Sequence, residues 1–128
     1  MLSAASCNKW WQDKIIESAD YQAEQEKITT EKLGKNHVYF LPYLMGERSP
    51  INDTNARGTF IGLTMDTTRE DMLQAVLEGV AFAIRDSFEA AKSLGVDISR
   101  SSICGGGSIF KNKLYFHNNL PKRVLQAG

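Results

Sequence analysis

The stretch from Thr68 to Leu94 constrains this chain more than any other. Met72, Ala75, Val76, Gly79, Val80, Ala83, Ser87, Phe88 and Ala91 recur at i, i+3 and i+4 spacing, an apolar stripe of helical period. At about 1.5 Å rise per residue such a helix is roughly 40 Å long, so it has to run through the body of a domain. Gly95 follows it as a C-cap. At its start, Thr67-Thr68-Arg69-Glu70 fits a capping box, with the Thr hydroxyl and the Glu carboxylate satisfying orphan amides. Immediately upstream, Thr59 to Leu63 reads as a strand. Gly58 and Gly62 mark places where its backbone must bend or pass close to another group.

The remaining elements are shorter. Ser6 to about Ser18 carries Trp10, Trp11, Ile15 and Ile16 at helix-like spacing, which predicts a first helix with one apolar face. Asp20 to Leu33 is polar, with Tyr21, Ile28 and Leu33 as sparse anchors, and suits a solvent-facing helix stopped by Gly34. Val38 to Leu41 is a short β-prone run closed by Pro42. Gly46 to Arg57, punctuated by Gly, Pro, Asn and Asp, should be loop. Ile98 to Cys104 reads as a strand entering Gly105-Gly106-Gly107-Ser108, with a helix over Phe110 to Asn118 ended by Pro121. Short strands around one long helix make an α/β domain.

Fifteen acidic and fifteen basic residues cancel, so no basic field exists to hold nucleic acid or an anionic membrane. An apolar content of 42% is that of an ordinary folded domain. No apolar run approaches the roughly 20 residues of a membrane helix. Met1 to Ser6 lacks the basic and apolar regions of a signal peptide, which points to the cytoplasm. Cys7 and Cys104 are far apart and in no CxxC pair, as expected of buried thiols in a reducing compartment. His37 and His117 show no ligand spacing with each other or with the cysteines, which disfavours a metal site. No Ser/His/Asp or Cys/His set suggests nucleophilic catalysis.

The triple glycine carries the first chemical signal. A strand, Gly105-Gly106-Gly107-Ser108 and a helix start present free backbone amides beside a positive helix end. Glycines without Cβ atoms let a flat or phosphorylated ligand approach the chain. By itself the motif is more commonly a tight strand-to-helix turn. Upstream stand Leu41-Pro42-Tyr43-Leu44, then Gly46-Glu47-Arg48-Ser49-Pro50, then Ala56-Arg57-Gly58. Next come Gly58-Thr59-Phe60-Ile61-Gly62-Leu63 and Asp71-Met72-Leu73-Gln74-Ala75-Val76-Leu77-Glu78. In that order and spacing, from about Trp10 to Asn112, the chain resembles the C-terminal domain of the FGGY carbohydrate kinases, and among them the xylulose kinases.

That resemblance implies a partial actin-like ATPase domain of ribonuclease-H type and an ATP-dependent kinase acting on a sugar, most simply xylulose. ATP and Mg²⁺ would serve the intact enzyme, with sugar and nucleotide in the cleft between two domains. By position, Gly105, Gly106, Gly107 and Ser108 would lie against the adenosine end of ATP, with Lys111 and Asn112 able to reach it. The turn from Met65 to Glu70, with Asp66 in it, corresponds to another segment near the nucleotide, and it reads equally as a plain helix cap. Glu47 and Arg48 suggest an acid and an anion binder, but a loop-pinning brace fits their setting better. Asp53 fits a turn residue. Trp10 and Trp11 fit core anchors sooner than a sugar platform.

Phosphoryl transfer needs phosphate-cradling loops, carboxylate-held Mg²⁺ and a base for the sugar hydroxyl. The resemblance implies that these lie upstream of the segment matched here, and no catalytic residue is assigned within it. Residues 1–128 would then be an incomplete C-terminal domain, without the N-terminal domain or the last family helix, and inactive alone. Its final fifteen or so residues depart from the family pattern. The competing expectation is a non-catalytic actin-like module that binds nucleotide or a protein partner, or that associates with itself into a homodimer.

Overall fold

A computed structural model describes residues 3–98. The first helix, α1 (Ala4–Trp10), continues without a break into a π-helical turn, Trp11–Ile15. There the Ile16 amide donates to the Trp11 carbonyl five residues back, at 3.1 Å. The extra residue in that turn shifts the helical phase of its neighbours. Trp11 is buried and Ile16 packs on the core, while Ile15 is turned outward. The apolar face read from the sequence is therefore present, with Ile15 removed from it.

The expected single helix over residues 20–33 is two pieces. α2 (Tyr21–Glu26) starts at Asp20, whose carboxylate accepts from the Ala23 amide at 2.9 Å. A 3-10 turn follows at Thr30–Lys32. The β-branched run Ile28-Thr29-Thr30 lies at the break, where χ1 restriction weakens a helix and Thr29 adopts extended backbone. Nor is α2 only solvent-facing. Glu24 and Gln25 are buried, and Glu24 pairs with Lys27 and with Arg69 at the start of the long helix.

Two short strands, β1 (Tyr39–Leu41) and β2 (Thr59–Ile61), pair antiparallel, with Tyr39 opposite Ile61, Phe40 opposite Phe60 and Leu41 opposite Thr59. Phe40 and Phe60 face inward, their rings 4.7 Å apart. Trp10 stacks on Phe40 and Trp11 meets Phe60 edge-on. Both tryptophans are thus core anchors, as their helical spacing suggests.

The long helix, α3 (Arg69–Ser93), spans almost the whole predicted stretch. Its cap lies one residue later than the sequence suggested. Thr68, not Thr67, caps it, and Asp71, not Glu70, closes the box. The Asp71 amide donates to Thr68 Oγ1 at 3.2 Å and the Thr68 amide donates to Asp71 Oδ2 at 2.9 Å. Asp at the third helical position makes the same reciprocal pair that Glu would, and Thr67 is committed elsewhere. At the far end Gly95 has φ +84°. Its amide donates to Lys92 O, while Val96 N donates to Ala91 O, a Schellman closure.

Leu73, Val76 and Val80 join Cys7, Trp11, Val38 and Phe40 in the core. Gly79 sets the closeness of that packing. A Cβ built there would lie 2.2 Å from the Phe40 carbonyl oxygen, so the backbones of α3 and β1 approach each other directly.

Candidate functional site

Three backbone segments, two of which carried functional expectations, are held by α3 or by its approach. The first is the turn between β2 and α3. Thr67 Oγ1 accepts from the Thr64 amide at 2.8 Å, Thr64 Oγ1 accepts from the Asp66 amide at 3.3 Å, and the Thr67 amide donates to Thr64 O. Local hydroxyls therefore take two of the turn's amides, and the Thr64 carbonyl takes a third. Gly62 enters it at φ +89°, and a Cβ there would sit 2.4 Å from His37 O. This is the close approach that Gly62 marked in the sequence. Met65 stands fully exposed at the tip with Asp66 exposed beside it. His37 Nε2 lies 3.3 Å from Thr67 Oγ1, which ties the turn to the entry of β1.

The second is the loop Gly46–Arg57. Glu47 and Asp53 bond each other's backbone in both directions at 2.9 Å, closing its base. The buried Glu47 carboxylate accepts from the Arg48 amide at 2.8 Å. The hydrogen bond between Glu47 and Arg48 is thus to the Arg48 main chain, and the loop is pinned by the Glu47–Asp53 backbone pair instead. Asp53 Oδ1 accepts from the Asn55 amide at 2.8 Å, the turn role expected of it. Arg57 donates from Nη1 to the carbonyls of Thr54 and Ala56, and Ser87 Oγ on α3 donates to Ser49 O.

Near Glu47 lies Cys7, whose thiol lies 3.6 Å from the Pro42 carbonyl. Burial first, and the Glu47 charge second, push that thiol up to about 12, so it is neutral and unreactive at neutral pH. Burial, with the charges of Asp86 and Glu47 behind it, also raises the Tyr43 phenol.

The third is the strap from Lys32 to Val38, and here sequence reading missed the residues that matter. Gln74 and Glu78, each 3% exposed, project from the buried side of α3. Glu78 Oε1 accepts from the Gly34 amide at 3.0 Å and from Gln74 Nε2 at 2.8 Å. Gln74 Nε2 also donates to Lys32 O, and Asn36 Nδ2 donates to Asp71 O, both at 2.8 Å. Beside this seam is a cleft of about 250 Å³ bounded by Glu31, Lys35, His37, Asp71 and Gln74. Its charges are of both signs and its amide groups are already partnered, so it holds the strap together. The Thr68 amide, chiefly, holds the Asp71 carboxyl below the usual range. The available signal was two polar residues four apart within an apolar stripe, the spacing of a pair that meets on one helix face.

Asp66 is the one sequence-assigned site residue in this geometry. Gly105, Gly106, Gly107, Ser108, Lys111 and Asn112 lie outside the described residues, as do the expected strand into the triple glycine, the helix after it, Cys104 and His117. Among the described residues no three His, Cys, Asp or Glu side chains are placed to hold a metal ion. No helix among them is long and apolar enough to cross a membrane.

Comparison with known proteins places the chain in a family. The chain is 36% identical over 107 residues to a xylulose kinase of Staphylococcus xylosus, covering 84% of this chain and 22% of that protein. It is 37% identical over 128 residues to a glycerol kinase of Enterococcus faecalis, covering 98% of this chain and 25% of that protein. The chain thus spans about a quarter or less of the length of these relatives. The fold superposes on the crystal structure of a xyloylose kinase from Brucella ovis with a TM-score of 0.78, at 42% identity and covering 94% of this chain and 24% of that one. Residues 2–117 match the model of the C-terminal domain of the FGGY carbohydrate kinases, and the chain belongs to that family.

Proposed function

We propose that this chain supplies part of the nucleotide-side, C-terminal domain of an ATP-dependent kinase that transfers the γ-phosphate to a hydroxyl of xylulose or a related pentulose. The family match over residues 2–117 carries this reading, and the identity to a xylulose kinase supports the acceptor. The finer fold is then actin-like, of ribonuclease-H type, with its short strands packed on α3. Gly105, Gly106, Gly107 and Ser108 take the adenosine end of ATP, with Lys111 and Asn112 reaching the same ligand. An exposed carboxylate repels phosphate and accepts from hydroxyl groups, so Asp66 is assigned to the ribose side.

Mg²⁺ accompanies ATP in such transfers and neutralises charge developing on the phosphates. The described residues offer no carboxylate cluster for it, and none is assigned to it. Closure of two domains on the substrates excludes water from the reaction, and the cytoplasm is where such an enzyme meets ATP and free sugar. Glycerol is the second candidate acceptor, favoured by the glycerol kinase match that covers 98% of the chain.

Calorimetric titration with ADP–Mg²⁺, repeated on Gly107→Val, tests the site. Saturable binding lost on the substitution supports it. Equal binding by both forms places the nucleotide elsewhere.

A further inference from the structure

No further inference is drawn: the strongest candidate, the outward apolar face of the two-stranded sheet carrying Tyr39, Leu41 and Ile61, carries nothing because nothing in the structure shows what covers it.

Discussion

Substituting Gly79 with alanine sets two opposed effects against each other. Alanine is the better helix former in the interior of α3 by about 1 kcal/mol. Its methyl, however, would lie 2.2 Å from the Phe40 carbonyl oxygen, where ordinary contact begins near 3.4 Å. Neither partner can rotate away, because the methyl is fixed to the helix backbone and the oxygen belongs to β1. The two elements must therefore part by about 1 Å, loosening Val76, Val80 and Phe40. Overpacking costs typically about 1–3 kcal/mol, and a contact with no soft side belongs at the upper end. The net loss is then about 2 kcal/mol, or a fall in Tm of roughly 8 °C for a domain of this size. Thermal unfolding followed by circular dichroism, with Trp10 and Trp11 fluorescence as a second probe, measures it. Gly95→Ala is the control. It has open space around it and φ +84°, so it bears only left-handed strain of about 1–2 kcal/mol. A Gly79→Ala protein melting at or above its parent would refute the close-approach argument.

The other contacts of α3 and of Cys7 set four further outcomes. Glu78→Leu strands the Gly34 amide and costs about 1–3 kcal/mol, whereas Glu78→Gln keeps an acceptor and loses much less; equal losses in urea unfolding would contradict this role. Thr68→Val removes the cap hydroxyl and costs about 1 kcal/mol, while Thr67→Val leaves the capping box intact; the reverse order in thermal melts would restore Thr67 as the cap. Because the Asp71 carboxyl is depressed in the folded state, its contribution is present above the ordinary Asp range and is lost as pH falls through the folded value. An acid titration of Asp71→Asn that matches the parent would remove that contribution. In a Cys104→Ser background, native Cys7 should react with a thiol reagent far more slowly at pH 8 than the unfolded chain does. With the folded thiol raised from 9.0 to about 12, its stabilisation is complete below about 9 and declines as pH rises toward 12, which pH-dependent unfolding would show.

The sequence carried α3 because its stripe repeats over many turns, and β1, β2 and the loop from Gly46 to Arg57 because strand-prone residues and breakers alternate sharply there. It misplaced the cap by one residue because Thr67, Thr68, Glu70 and Asp71 offer two overlapping boxes. Hydrogen bonding of Thr67 back to Thr64 decides between them. The break in the expected helix over residues 20–33 depends on Thr29 and on Glu24 reaching Arg69, 45 positions away. The π-helical turn after Trp10 accompanies packing of Trp10 on Phe40 and of Trp11 on Phe60, contacts that local spacing does not contain. Asp66 is assigned from its position in the family pattern, and the structure shows only that it is exposed in the turn. Gln74 and Glu78 show in the sequence only as polar residues four apart in an apolar stripe, because their further partners are main-chain groups of a distant strap.

Among the described residues, one rod touches three separate segments. Near its beginning α3 holds the strap through Gln74 and Glu78, further along it lies on β1 at Gly79, and near its end Ser87 reaches the loop at Ser49. These segments cannot shift independently while the helix stays straight. A tilt of about 5° about one end of a helix roughly 38 Å long carries the other end by about 3 Å. A substitution that displaces α3 at any one of these contacts is thereby expected to strain the other two.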